Sequence, residues 1–215
     1  MAMTTFHTEK DTKSTLLDCA ERLFLVKGFE AVSVREITDA AGANVAAVNY
    51  HFASKTQLYR ACLERRLAKI ACRRVALIER FSNQEPPSTL QEIISAFVRG
   101  SFEEMLLNPD GGHMLQIIYR EMSPAGVASD LVTDELIAPV HKALLKAICK
   151  VRPQLSEKHV SRCVSSLSGQ ILHFIRFRDV INTFVETGTE IEYIDQVTQH
   201  ITDFSLRGIG SQQHV

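Results

Sequence analysis

Residues 44–51 carry small and polar side chains of the types that contact the edges of base pairs. On a helix, Val45 and Ala46 are short enough to let the backbone approach a groove floor, and both can contact thymine methyl groups. Asn49 has an amide that can pair with an adenine edge. Asn44 and Ala47 are expected to face DNA beside them. These residue types predict a recognition helix for the major groove.

The elements around this segment are predicted by local capping signals. Ser33 and Glu36 have the spacing of a capping box, which begins a helix. Gly42 ends that helix, because glycine adopts a left-handed C-cap at little cost. Asn44 is a favourable N-cap for the next helix. Two short helices joined by a tight glycine turn predict a helix-turn-helix, whose second helix can enter a DNA groove.

A longer series of residues resembles the TetR family of bacterial repressors. The match is ungapped from about residue 12 to about residue 60. It comprises Phe24, Gly28, Phe29, the run from Ser33 to Ile37, Ala41, Gly42 and the run from Tyr50 to Lys55. The family usually has tyrosine where this chain has Asn49, which leaves open the operator that is recognised.

The resemblance implies that residues at the helix ends contact DNA phosphates, since free N–H groups at helix N-termini suit anions. These residues are Ser33, Val34, Tyr50, His51 and Lys55. Tyr50 and Phe52 have an alternative interpretation as core aromatics. We interpret Phe52 as core and Tyr50 as a DNA contact, because Tyr50 lies beside Lys55 and away from the apolar face of its helix.

Charge is distributed unevenly along a chain of 215 residues whose formal net charge is −1. Residues 1–80 hold 13 Lys and Arg against 9 Asp and Glu, whereas residues 81–215 hold 11 against 16. A basic front and an acidic remainder suit a DNA-binding head on a body that avoids DNA. Chance variation in surface charge is the alternative.

The five cysteines predict neither a disulfide framework nor a zinc site. Their number is odd and no C-x-x-C pair occurs, so we expect buried free thiols in a reducing compartment. His159 and Cys163 have a helical i, i+4 spacing, but two ligands do not make a metal site. We expect no metal, no cofactor and no catalytic residues. The N-terminus lacks an apolar signal core and no long apolar run occurs, which predicts a cytoplasmic protein without membrane contact.

Hydrophobic periodicity predicts an all-α fold of about nine helices. We expect a three-helix DNA-binding domain over residues 1–54, with a loose arm at 1–11, and a helical effector-binding and dimerisation domain over 55–215. Ser54 with Gln57, and Ser88 with Gln91, have capping-box spacing and are expected to open the fourth and fifth helices. The basic residues of the fourth helix are expected to lie mostly outside, and these include Arg65, Arg66, Lys69, Arg73 and Arg74.

The last two helices have near-heptad apolar spacing. Ordinary core helices would show the same spacing, and the family resemblance is what favours a homodimer through a four-helix bundle. The predicted interface residues are Val160, Val164, Leu167, Ile171, Phe174, Ile194, Val197 and Ile201. A twofold dimer would present two recognition helices about 34 Å apart, as a palindromic operator in double-stranded DNA requires.

The resemblance also implies a small-molecule effector that binds among the C-terminal helices. Candidate residues for its pocket are Phe97, Phe102, Met105, His113, Gln116, Tyr119, Arg120, His141, His173 and Arg176. A set of aromatic and methionine residues also describes plain core, and Arg176 could form a surface salt bridge instead. The effector itself is not predicted.

Three functions are compatible with this sequence. The first is a dimeric, ligand-responsive repressor of transcription, in which effector binding favours a state with low DNA affinity. The second is an all-α enzyme, for which no catalytic motif is present. The third is a helical interaction protein, which leaves the basic front unexplained. Loss of DNA binding on substitution of Tyr50 or Lys55 by alanine would separate the first from the others.

Overall fold

The computed structural model describes residues 9–185 and 188–210, and helices dominate this part of the chain. No strand occurs within these residues, which confirms the all-α class. The predicted N-terminal arm falls largely on residues 1–8, outside the described residues, and residues 9–11 belong to the first helix. The helices are α1 (Glu9–Ala31), α2 (Val34–Ala41), α3 (Val45–Phe52), α4 (Lys55–Asn83), α5 (Leu90–Phe102), α6 (Gly111–Glu121), α7 (Ser129–Leu131), α8 (Ala138–Val151), α9 (Glu157–Arg176), α10 (Arg178–Ile181) and α11 (Glu190–Gly210).

Two π-helical turns extend these helices. Glu103–Leu107 continues α5, and Val132–Ile137 leads from α7 into α8. Pro139 follows the second turn at the start of α8. Proline cannot donate the usual helical hydrogen bond and crowds the preceding turn, so the wider π geometry accommodates it. A proline within a helical pattern predicts a kink or a late start, and at Pro139 this takes the form of a π-helical turn before α8.

Side-chain caps begin several helices, and the cap of α4 is formed by the predicted residue. The capping box of Thr189 and Glu192 precedes α11, and Ser54 Oγ accepts from the Gln57 N–H at 3.1 Å before α4. The prediction for α5 was wrong by one residue. Its capping box is formed by Thr89 and Glu92. Two hydroxyl residues are adjacent here, and local sequence alone does not decide which becomes the cap.

The described chain forms two compact units. The first contains residues up to Lys69 together with His113–Glu135, so that α6 and α7 pack with the first part of α4. The second contains Ile70–Gly112 and the chain from Leu136 onward. The expected boundary between a DNA-binding domain and an effector-binding domain, after residue 54, stays a prediction.

Within the second unit, α5 packs against α11 and α8 packs against α9. Seven of the eight residues predicted for the dimer interface lie in this internal core, with at most 7% of their surface exposed. They are Val160, Val164, Leu167, Ile171, Ile194, Val197 and Ile201. These side chains are covered mainly by their own subunit, and their assignment to a dimer interface stays a prediction. Phe174 alone of the set is half-buried.

The expectation of buried thiols holds for Cys19 and Cys62, whereas Cys72 is exposed. All five cysteines are free. None of the helices in the described residues combines the length and the apolar character that crossing a membrane requires.

Candidate nucleic-acid interface

The recognition helix rests on a small core built from its neighbours. Val48 of α3 is fully buried, as are Ile37 of α2 and Leu16 of α1, and Phe24 is 2% exposed. Phe52, at the end of α3, is 8% exposed, which confirms its interpretation as a core aromatic. One face of α3 is thus held by packing, and its opposite face is exposed.

The turn between α2 and α3 is formed by a left-handed glycine and by local hydrogen bonds. Gly42 adopts φ 63°, ψ 29°, in the left-handed region where a side chain would be strained. The N–H of Ala43 donates to the carbonyl of Thr38 at 2.9 Å. Asn44 then caps α3, its Oδ1 accepting from the Ala47 N–H at 2.9 Å. These local interactions confirm the predicted helix-turn-helix.

The outer face of α3 carries the residues predicted to contact bases. Asn44, Ala46 and Asn49 are exposed, and Val45 is 49% exposed. Ala47 is half-buried, since it lies closer to the supporting core. The exposed set combines short apolar groups with amide side chains, and these groups can read thymine methyls and adenine edges.

The residues predicted to hold phosphates have different surroundings. Tyr50 is 73% exposed and its ring lies 4.9 Å from that of His51, which is half-buried. Lys55 places its Nζ 4.4 Å from the centre of the Phe29 ring and donates to the Glu30 carbonyl at 3.4 Å. Lys55 therefore also ties the start of α4 to the end of α1, a contact that the sequence did not indicate.

The start of α2 carries a carboxylate beside the predicted phosphate contact. Ser33 is exposed and Val34 half-buried, and Glu36 Oε2 accepts from the N–H and hydroxyl of Ser33 at 2.9 and 3.0 Å. Lys27 lies 2.9 Å from the other oxygen. The Ser33 N–H, followed by Lys27, lowers the pKa of Glu36 to about 2. A phosphate here would meet a permanent negative charge that Lys27 partly balances.

A strained turn joins α3 to α4. Ala53 adopts φ 63°, ψ −34°, and the Ser54 N–H donates to the Phe52 carbonyl at 2.7 Å, which defines a γ-turn. This conformation is rare for residues other than glycine. The turn leaves the Ser54 hydroxyl free to cap α4, so it fixes the position of the end of α3.

A buried carboxylate anchors α6 to the same unit. Glu121 is 1% exposed and accepts from the Tyr59 hydroxyl at 2.6 Å and from the Val127 and Ala128 N–H groups at 2.8 and 2.9 Å. Burial and the adjacent carboxylate raise the pKa of Tyr59. Arg120 lies 3.1 Å from Glu121 and also contacts Tyr59. Sequence reasoning missed this cluster, because Tyr59 and Glu121 are 62 positions apart.

The candidates for an effector pocket are divided between the two units. Arg120 is engaged with Glu121, while His113 and Gln116 are exposed and Tyr119 is half-buried. The first unit contains His113, Gln116, Tyr119 and Arg120, and the second contains Phe97, Phe102, Met105, His141, His173 and Arg176.

Within the second unit, the apolar candidates Phe97, Phe102 and Met105 are all buried. The Nε2 atom of His141 lies 2.9 Å from the Ser161 hydroxyl. His173 and Arg176 are exposed, and the His173 ring lies 5.2 Å from that of Phe177. Polar and apolar candidates are therefore not gathered on one surface within this unit.

The cysteine and histidine pair singled out as a weak metal candidate is a simple contact. The Sγ atom of Cys163 lies 3.5 Å from Nε2 of His159. Among residues 9–185 and 188–210, no group of three or more His, Cys, Asp or Glu side chains is placed to hold a metal ion.

The same helix-turn-helix is found in known regulators. Residues 16–62 match the family of bacterial regulatory proteins of the TetR type, and residues 90–209 match the C-terminal domain of the HTH-type transcriptional dual regulator CecR. The CecR protein of Shigella flexneri is 29% identical over 216 residues, covering 94% of this chain and 95% of the relative.

Solved structures of low sequence identity share the fold. A TetR-family regulator of Mesorhizobium loti aligns with a TM-score of 0.73 at 13% identity, covering 94% of this chain and 98% of the other. SmeT, the repressor of a multidrug efflux pump of Stenotrophomonas maltophilia, aligns with a TM-score of 0.65 at 18% identity, covering 93% and 90%.

Fold and site together define a DNA-binding transcriptional regulator of the helix-turn-helix class. The chain belongs to the TetR family, with a C-terminal domain of the CecR type. The relatives that it resembles are transcriptional regulators rather than enzymes.

Proposed function

We propose that this protein is a homodimeric repressor that binds a palindromic operator and is released from it by a small-molecule effector. The observation that carries the proposal is the asymmetry of α3. Its Val48 face is buried, whereas Asn44, Asn49 and Tyr50 project from the other face. A short helix held on one side and polar on the other is the arrangement that enters a major groove.

Support for a dimer comes from an exposed set of rings on α9, α11 and the turn after α9. Phe177 is 47% and Phe204 61% exposed, and His200 lies 5.6 Å from Phe174 and 6.5 Å from Phe204 between ring centres. We call this set, with His173, the aromatic patch. Exposed contiguous apolar surface on a soluble chain marks an interaction site, and a twofold dimer would cover two such patches at once.

The test is a DNA selection with the purified full chain and a random duplex library at moderate salt. The expected result is an enriched palindrome, whose two half-sites give the spacing of the recognition helices. If the folded dimer enriches no sequence, there are two explanations. Either a bound ligand holds the protein in its released state, or the helix-turn-helix does not bind DNA sequence-specifically. Repeating the selection after unfolding and refolding removes the ligand, and a second failure contradicts the proposal.

Variants separate base reading from phosphate binding. We expect Asn49→Ala to relax the preference at one base pair by about 1–3 kcal/mol. Tyr50→Ala should weaken binding to all sequences alike, because a phosphate contact carries no sequence information. Lys146→Ala, an exposed lysine of α8, is the matched control and should leave binding unchanged. Equal binding by all three variants and the original protein would contradict the assignment of α3.

The second candidate function is dual regulation, that is, repression of some genes and activation of others. It is favoured by the CecR-type C-terminal domain and by the name of the Shigella flexneri relative, which is called a dual regulator. Reporter genes behind promoters that contain the selected palindrome decide between the two. If the protein is a repressor, deleting its gene raises expression from every one of these promoters. A dual regulator raises expression at some promoters and lowers it at others.

A further inference from the structure

We propose that Arg74 of α4 is the anchor for a carboxylate group of the small-molecule effector, whose remaining body is apolar. This inference rests on the proposed effector response. It concerns the second compact unit alone and does not require knowledge of the operator.

Arg74 is half-buried and lies on the face of α4 that carries core residues, whereas the basic residues of this helix are expected mostly outside. Ile70 and Ile78, one turn before and after it, are 3% and 2% exposed. The Nε atom of Arg74 is enclosed and has no hydrogen-bond partner among the described residues. A guanidinium thus lies on the same face as two core isoleucines.

The acidic side chain that influences Arg74 within the described residues is Glu104, and it is already paired with another arginine. Glu104 is 20% exposed and pairs at 2.5 Å with Arg73, whose side chain is 55% exposed. Burial lowers the pKa of Arg74 to about 10, an effect that the field of Glu104 opposes. The side chain therefore keeps its positive charge near neutral pH without an ion pair in the described part of the chain.

A half-buried charge whose Nε–H group is enclosed without a hydrogen-bond acceptor is less stable than one that is paired. A water molecule could accept a hydrogen bond from the Nε–H group, but it would leave the positive charge unbalanced. A carboxylate accepts the hydrogen bond and balances the charge, since its two oxygens match the paired N–H groups of the guanidinium. A phosphate would need further cations, and Arg73 is held by Glu104.

The α5 helix faces this turn of α4. Leu77, three residues after Arg74, approaches Gly100 so closely that a Cβ on Gly100 would lie 2.8 Å from its Cδ2 atom. Arg73 contacts Glu104 on the next turn of the same segment. Phe97 on α5 and Met105 in the π-helical turn that follows, both candidates for the effector pocket, are buried on either side of it. These neighbours favour an apolar body for the ligand.

The experiment measures ligand binding to the free, refolded full chain by thermal shift and calorimetry. The probes are decanoate and benzoate, each compared with its neutral amide. We expect at least one acid to raise Tm and its amide to have no effect. Equal shifts for acid and amide, or no shift with either acid, would overturn the proposal.

Variants of the anchor complete the test. Arg74→Met should weaken binding of the acid by at least about 30-fold, since it removes one partner of a buried charge pair. It should also raise the Tm of the ligand-free protein, because it removes the uncompensated charge. Arg80→Met, at an exposed arginine of the same helix, is the control and should change neither.

Arg74→Lys keeps the charge but loses the fork, so we expect intermediate affinity; it also serves if Arg74→Met does not fold. Full affinity for the acid in both Arg74→Met and Arg74→Lys would overturn the proposal. Because no DNA is present, failure of this inference can be told apart from failure of the repressor proposal, which the DNA selection measures.

Discussion

Glu36 is the residue whose charge most directly shapes the start of α2. It accepts from Ser33, lies 2.9 Å from Lys27 and has a pKa lowered from 4.5 to about 2. A carboxylate with a depressed pKa contributes stability above its ordinary pKa and loses that contribution as the pH falls. The capping box therefore links the stability of the DNA-binding unit to acidity.

We expect Glu36→Gln to be less stable than the original protein at pH 7, with the difference shrinking as the pH falls from about 4.5 towards 2. Urea denaturation at several pH values measures this difference. Glu30→Gln, an exposed glutamate of α1, is the control. A difference independent of pH would contradict the role of the charge.

Glu121 is a second residue with a strong expected effect. Substitution by alanine leaves the Tyr59 hydroxyl and the Val127 and Ala128 N–H groups without their acceptor. We expect Glu121→Ala to cost about 3–5 kcal/mol of unfolding free energy and Tyr59→Phe about 1–3 kcal/mol. Chemical denaturation of both variants and their double mutant gives the coupling. Additive effects would mean that the hydrogen bond contributes little.

At the scale of elements, the junction between α3 and α4 is under local strain. Ala53 has a positive φ, and the three residues around it form a γ-turn. Glycine adopts such a conformation without the clash of a Cβ, although it loses more entropy on folding. The junction matters because it fixes where α3 ends relative to the core below it.

Ala53→Gly should raise the unfolding free energy by up to about 1 kcal/mol, since the relieved strain exceeds the added entropy loss. Ala53→Val should lower it, because a branched side chain suits a positive φ least. Thermal denaturation of the pair is the measurement. A stabilising valine would show that the junction is not strained.

At the scale of the whole molecule, the aromatic patch determines the expected assembly. Phe204 is 61% exposed and lies near His200, so its ring is available to a second copy. The residues predicted for the interface are almost all buried within the subunit, so the patch is the exposed part of the same two helices and the turn after α9.

We expect Phe204→Glu to convert the dimer to a monomer at micromolar concentration, because two carboxylates would be buried across the twofold axis. Light scattering after size-exclusion chromatography reports the mass. Val26→Glu, at a 66% exposed apolar residue of α1, is the matched control and should stay dimeric. A dimeric Phe204→Glu variant would place the interface elsewhere.

Local signals were sufficient for the DNA-binding unit. The capping box at Ser33, the left-handed Gly42 and the N-cap Asn44 are fixed by residues within a few positions of one another. The sequence therefore determined where α2 and α3 begin and end, and which face of α3 is apolar. The order of the longer helices followed from their periodicity in the same way.

Tertiary structure alone decided what covers each apolar face and which charges are buried. The spacing of Val160 and Val164 shows a face to be covered, but the same spacing suits a partner subunit and the chain's own α8 or α5. The sequence pattern predicts a surface position for Arg74, whereas in the fold α5 lies beside this part of α4. Tyr59 and Glu121 meet only because the fold brings distant segments together. Periodicity reports that a face is buried, whereas the identity of its neighbour is a long-range property.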